Sequence, residues 1–82
     1  MIEGQPIVII YTTPTCPYCA MAKMFLKEHS VSYVEKNVAS DRAAANEMIE
    51  KSGQMSVPTI DINGEIIIGF DRDAIKNALK LS

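Results

Sequence analysis

Hydrophobic positions change period along this chain, and the changes mark out its elements. Ile7-Val8-Ile9-Ile10-Tyr11 is a continuous, mostly β-branched run, the pattern of a central strand buried on both faces. Thr12-Thr13-Pro14-Thr15 reads as a loop. A helix is predicted from Pro17 to about His29, because proline suits a first helical turn, whose N–H needs no partner. Ala22, Phe25, Leu26 and His29 recur at helical spacing and predict its buried stripe. Ser32 to Val38 alternates loosely and predicts a second strand. Ser40 or Asp41 can cap a second helix, with Ala45, Met48 and Ile49 as its apolar face. Lys51 suits the last turn of that helix and Gly53 its stop.

Two further apolar runs, Thr59–Ile62 and Glu65–Ile68, flank Asn63-Gly64. That dipeptide accepts positive φ at both positions, which is a strong short-range hairpin signal. Asp71 can cap a last helix carrying Ile75, Ala78 and Leu79 on one face. The predicted order is β-α-β-α-β-β-α. Its first three elements suggest a right-handed unit with parallel strands, and its hairpin must be antiparallel. The expected fold is α/β, a four-stranded mixed sheet flanked by three helices.

At 82 residues the chain is expected to be one domain, spanning 1–82, with no room for a large substrate cavity. The net charge of −2 comes without a basic block, which argues against nucleic acid as a partner. No apolar run approaches the ~20 residues of a membrane span. Met1-Ile2-Glu3-Gly4 lacks the basic and apolar regions of a signal peptide, so a cytoplasmic location is expected.

Composition matters most in its cysteines, Cys16 and Cys19, the only two in the chain. A disulfide between them closes too small a loop to stabilise the fold much. A structural zinc site wants four ligands, and His29 is the only other soft candidate. No resident metal is expected. Redox chemistry is the better reading. Cys16 directly precedes the predicted helix and becomes its N-cap, where free N–H groups and the helix dipole favour a thiolate. Cys19 falls at N3, one turn along on the same side and deeper in the helix. The expectation is that Cys16 attacks a disulfide and Cys19 resolves the mixed intermediate.

Tyr11-Thr12-Thr13-Pro14-Thr15-Cys16-Pro17-Tyr18-Cys19 resembles the active-site segment of glutaredoxins, whose usual dithiol motif is Cys-Pro-Tyr-Cys. Gly53 to Ile60 resembles the loop that carries their cis-proline, and Gly64 to Asp73 their terminal hairpin and glycine turn. The resemblance covers nearly the whole chain and implies the minimal thioredoxin fold. By base rates Val57-Pro58 would be trans; the resemblance implies cis, with the Val57 backbone aimed at an extended substrate beside Cys16. It also implies no bound cofactor, glutathione as co-substrate, and protein or glutathione mixed disulfides as targets, handled by a monomer.

Two departures qualify the resemblance. Glutathione-using members usually carry Lys or Arg where this chain has Thr13, and the nearest cation is Lys23. Many also show a double glycine where this chain has Gly69-Phe70. Gly69-Phe70 resembles the glutaredoxin-like hydrogen donors of ribonucleotide reductase, which are reduced by thioredoxin reductase, a flavoprotein. Asp71 matches the acidic residue that meets the glutathione amino group in the family, and it also reads as a helix cap. Tyr18 is expected to be an exposed wall of the site. Arg72 is read as a solvated first-turn residue, with a replacement carboxylate clamp as the sharper alternative. Met21 and Met24 are expected to be half-buried core, or else a soft apolar rim for protein partners. Tyr11 and Phe70 are expected at the core edge, and His29 as a helix-terminal residue rather than a base. Two rivals to a glutaredoxin remain: a thioredoxin-like electron donor reduced by a flavoprotein, and an iron–sulfur carrier formed by a bridged dimer. A non-catalytic binding module is the weakest alternative, given the intact cysteine pair.

Overall fold

The computed structural model describes residues 7–79; the Met1–Gly4 segment considered above as a leader lies outside them. The described elements run β1 (Val8–Thr12), α1 (Pro17–Glu28), β2 (Val34–Asn37), α2 (Arg42–Ser52), β3 (Thr59–Ile62), β4 (Glu65–Ile68) and α3 (Arg72–Leu79). They form one sheet in the order β2-β1-β3-β4. β1 pairs with β2 in parallel and with β3 antiparallel, and β3 pairs antiparallel with β4. The mixed four-stranded sheet and three helices agree with the order read from the sequence.

Strand alternation divides the molecule into two layers around the sheet. Val8, Ile10, Ile60, Ile62 and Ile67 pack with Ala22, Phe25 and Leu26 of α1 and Ile75 of α3 as the main core. Ala78 and Leu79 of α3 complete it as half-buried neighbours. Tyr11 and Asp61 alternate with these strand residues and face α2, where Lys51 Nζ donates to Tyr11 OH at 2.9 Å and to Asp61 Oδ2 at 2.6 Å. Glu47 approaches the same ammonium at 3.3 Å and also accepts from Lys36 of β2 at 2.9 Å. On this face the buried Ala44, Ala45 and Met48 of α2 lie beside the polar Lys51–Tyr11–Asp61 cluster, in which each buried polar group has a partner, as burial requires.

Several expectations need correction. β1 is shifted by one residue from the apolar run: Ile7 is 69% exposed, whereas Thr12 belongs to the strand and is buried. Ile7 exchanges bonds with Asn63 beyond the end of the ladder. Thr12 tolerates burial because its hydroxyl donates to Glu35 Oε2 at 2.8 Å. Ile9 is only half-buried, so the run is not covered fully on both faces. β2 is shorter than Ser32 to Val38, with Val34 exposed on this edge strand. His29 is the exposed C-cap of α1 rather than part of its buried stripe, with Nδ1 2.9 Å from the Phe25 carbonyl and its ring against Phe25. Ile49 lies at the margin of the buried face of α2, whose N-cap is Asp41, one of the two residues expected there. Tyr11 is fully buried rather than at the core edge, because Lys51 satisfies its hydroxyl. Met21 and Met24 are exposed, not half-buried, since they point away from the Ala22-Phe25-Leu26 stripe.

Candidate active site

β1 ends at the centre of the sheet, and the chain turns there directly into α1. Cys16 sits at that turn with extended backbone angles (φ −98°, ψ 111°) and caps the helix. The Cys19 N–H donates to Cys16 Sγ at 3.2 Å, the bond a side chain at the N-cap accepts from N3. Pro17 occupies the first turn without wasting a donor. Cys16 is half-exposed and Cys19 is completely buried, and both are free thiols. Burial, chiefly, pushes the Cys19 thiol up to about 11, helped by the Cys16 thiol beside it; the Thr13 backbone and the Lys23 charge oppose the shift.

The second wall comes from the loop before β3. The Val57–Pro58 peptide is cis, as the resemblance implied, and the Cys16 thiol points at the Val57 carbonyl oxygen, 3.9 Å away. The Pro58 side chain is buried, and its carbonyl accepts the Gly69 N–H at 2.7 Å. Gly69 holds φ +83°, a left-handed conformation that costs a Cβ-bearing residue energy. Thr59 Oγ1 donates to the Ser56 carbonyl at 2.6 Å and closes the loop. Ser56 and Thr59 did not stand out in the sequence, because a hydroxyl bonding a carbonyl three residues back leaves no pattern there.

The remaining candidates lie around this core. Thr13 is half-exposed, and its carbonyl accepts the Cys16 N–H at 3.4 Å. Tyr18 is 60% exposed, as an outer wall should be. Phe70 meets Phe25 edge-on, with centroids 6.0 Å apart. Asp71 caps α3, its Oδ1 accepting the Ala74 N–H at 3.1 Å. Phe70, Asp71, Arg72, Asp73 and Lys76 line an open cleft of about 560 Å³. Contacts thus join Thr13, Cys16, Cys19, Val57, Pro58 and Gly69 into one cluster, while Asp71 is tied to α3 and not to the cysteines. Among the described residues no group of three or more His, Cys, Asp or Glu is placed to hold a metal ion, and no helix is long and apolar enough to cross a membrane.

A family model described as glutaredoxin matches residues 8–67. A glutaredoxin-like 8.6 kDa protein of Clostridium pasteurianum, encoded in a rubredoxin operon, is 40% identical over 74 residues, covering 90% of this chain and 99% of that one. Glutaredoxin 3 of Escherichia coli is 44% identical over 64 residues, covering 78% and 77%. The crystal structure of a mutant thioredoxin-like protein superposes with a TM-score of 0.87 at 35% identity, over 92% of this chain and 96% of that one. With a dithiol at a helix start, a cis-proline facing it and relatives that span nearly its whole length, this chain belongs to the glutaredoxin family of thiol–disulfide oxidoreductases.

Proposed function

We propose that this oxidoreductase reduces protein or glutathione mixed disulfides through a dithiol–disulfide cycle of Cys16 and Cys19. The observation that carries this reading is the contrast within the pair: Cys16 is half-exposed and receives the Cys19 N–H, while Cys19 is fully buried. A donor aimed at sulfur stabilises a thiolate more than a thiol, so Cys16 is the attacking atom.

Cys16 Sγ attacks one sulfur of the substrate, and the substrate S–S bond breaks. The electron pair leaves on the outgoing sulfur, which takes a proton from solvent. Cys19 then loses its proton to solvent and attacks Cys16 Sγ. The intramolecular disulfide forms, the second substrate sulfur departs with its electron pair, and the substrate has gained two electrons. The helix start needs little movement for this, since Cys16 and Cys19 already share one face of α1.

An extended substrate lies along the Val57 backbone, which offers its N–H and C=O as a strand edge would. Tyr18 and Phe70 flank the substrate, Thr13 lies beneath it, and the Gly69 turn keeps its approach open. Asp71 has one oxygen engaged in capping and presents the other to the amino group of glutathione. Thr13 favours a second reading, in which a flavoprotein supplies the electrons, because it leaves no cation at that position for a glutathione carboxylate. The test offers oxidised protein NADPH with glutathione and glutathione reductase, and separately NADPH with thioredoxin and thioredoxin reductase. NADPH consumption in the first system supports the proposal; consumption in the second alone replaces glutathione with the flavoprotein route.

A further inference from the structure

Cys19 poses a physical problem that Cys16 does not. It must become a thiolate to resolve the intermediate, yet it is buried away from water, where a nearby charge counts most. Lys23 supplies that charge. It lies four residues past Cys19 and seven past Cys16, so the helical period places all three on one side of α1. The Lys23 ammonium is not loose. Its Nζ donates to Glu35 Oε2 at 2.9 Å, and the same oxygen accepts the Thr12 hydroxyl at 2.8 Å. Thr12 is the buried last residue of β1, and Glu35 stands beside Ile10 in the parallel ladder. One carboxylate oxygen therefore joins β1, β2 and α1 within a few residues of the dithiol.

The charges around this oxygen are few. Glu35 faces Lys23 and, more distantly, Lys27 of α1; Lys23 faces Glu35, Tyr33 and Cys19. The Glu35 hydrogen bond to Lys23, then that to Thr12, hold its carboxyl below the usual range, and Glu35 in turn raises Lys23. Both groups are thus charged at neutral pH. Lys23 favours the Cys19 thiolate, and Glu35 both fixes Lys23 in place and offsets part of its charge.

We propose that Glu35, anchored by Thr12, is a positioning residue that holds Lys23 on the cysteine side of α1, and that the balance of these two charges sets how readily Cys19 resolves a mixed disulfide. The proposal rests on the order of attack given above. It is a device of this chain's own residues, at a site where Thr13 supplies no cation.

The two charges make opposite demands, which a purely structural role would not. An aromatic disulfide that releases a coloured thiolate follows both steps by stopped flow: Cys16 releases the first equivalent and Cys19 the second. Below its midpoint, the second phase rises tenfold per pH unit, with the thiolate fraction. Lys23→Met should move that midpoint up; Glu35→Gln, whose amide oxygen still accepts from Lys23 and Thr12 and so keeps the ammonium in place while the negative charge is lost, should move it down, each by ~0.3–0.5 pH unit for a half-exposed pair. At a fixed pH below the midpoint these shifts read as about a two- to threefold slower and a two- to threefold faster second phase. Lys23→Arg should restore the parental midpoint, and high salt should shrink all the differences. Midpoints that stay put, or that move the same way in Lys23→Met and Glu35→Gln, overturn the proposal. Loss of the second phase in the unsubstituted protein would instead overturn the order of attack.

Discussion

The Cys16 sulfur lies 3.9 Å from the Val57 carbonyl oxygen, although 41 residues separate them. Two loops at one end of the central strands make this contact. One continues from β1 into α1, and the other leads into β3, the antiparallel neighbour of β1. Register fixes the meeting: Tyr11 pairs with Thr59, so Pro58 and Thr12 lie at the same edge of the sheet. The reactive sulfur is thereby set beside a stretch of backbone able to hold a peptide.

That placement leaves Cys16 accessible and Cys19 covered, and alkylation should separate them. Iodoacetamide reacts with thiolates. At pH 8, mass mapping should find Cys16 modified and Cys19 untouched until the protein is unfolded, because burial holds the Cys19 thiol at about 11. Preferential labelling of Cys19 would reverse the roles.

Substitution should separate the two cysteines by substrate. Cys16→Ser should abolish reduction of glutathione mixed disulfides. Cys19→Ser should keep partial activity on them, since free glutathione can resolve the intermediate on Cys16. Disulfides between protein chains should require both sulfurs. Appreciable turnover by Cys16→Ser on either substrate would refute the cycle.

How far the sequence discloses this arrangement depends on how local each feature is. The helix start at Cys16-Pro17 and the Asn63-Gly64 hairpin are decided by neighbouring residues, and they stand where the pattern puts them. Ile7 and Thr12 mislead because hydrophobicity ranks them the wrong way round. Ile7 falls just outside the ladder, and Thr12 is buried by virtue of a partner 23 residues away. Lys51, Tyr11 and Asp61 come from three elements, so no spacing rule links them. Met21 and Met24 show the limit of composition: methionine serves a core or a surface equally, and only the packing of α1 decides. The cis geometry of Val57–Pro58 was legible through family resemblance and not through local preference.

The Lys51–Asp61 pair should matter for stability. Asp61→Asn leaves a largely covered ammonium with Tyr11 and Glu47 alone, and should cost about 1–3 kcal/mol in urea unfolding. Burial alone would lower the Lys51 pKa, but bonds to Asp61, Tyr11 and Glu47 outweigh it and raise it; burial raises Tyr11 as well. Groups with raised folded values stabilise fully below their unfolded values, near pH 10, and lose that contribution as pH climbs through the folded ones. Glu47 is lowered, first by Lys36, and Glu35 is lowered, first by Lys23. Their contribution is present above about pH 4.5 and is lost as pH falls. Chemical denaturation across pH should therefore show a plateau between these limits, and in Asp61→Asn a weaker fall on the alkaline side. An unchanged alkaline limb would show that the pair contributes nothing.

The missing cation at Thr13 offers the sharpest test of glutathione as co-substrate. Thr13 is half-exposed and its carbonyl receives the Cys16 N–H, so its side chain stands at the margin of the dithiol. A lysine placed there would face a glutathione carboxylate through partly exposed space. Such a contact contributes roughly 1 kcal/mol, about fivefold in affinity. Thr13→Lys should lower the glutathione concentration for half-maximal turnover by a few fold, and it should let Cys16 alkylate at lower pH than in the parent. Both effects should fade in high salt, because the pair is not buried. If neither quantity moves, no glutathione carboxylate approaches this position, and a flavoprotein becomes the better candidate for the electron source.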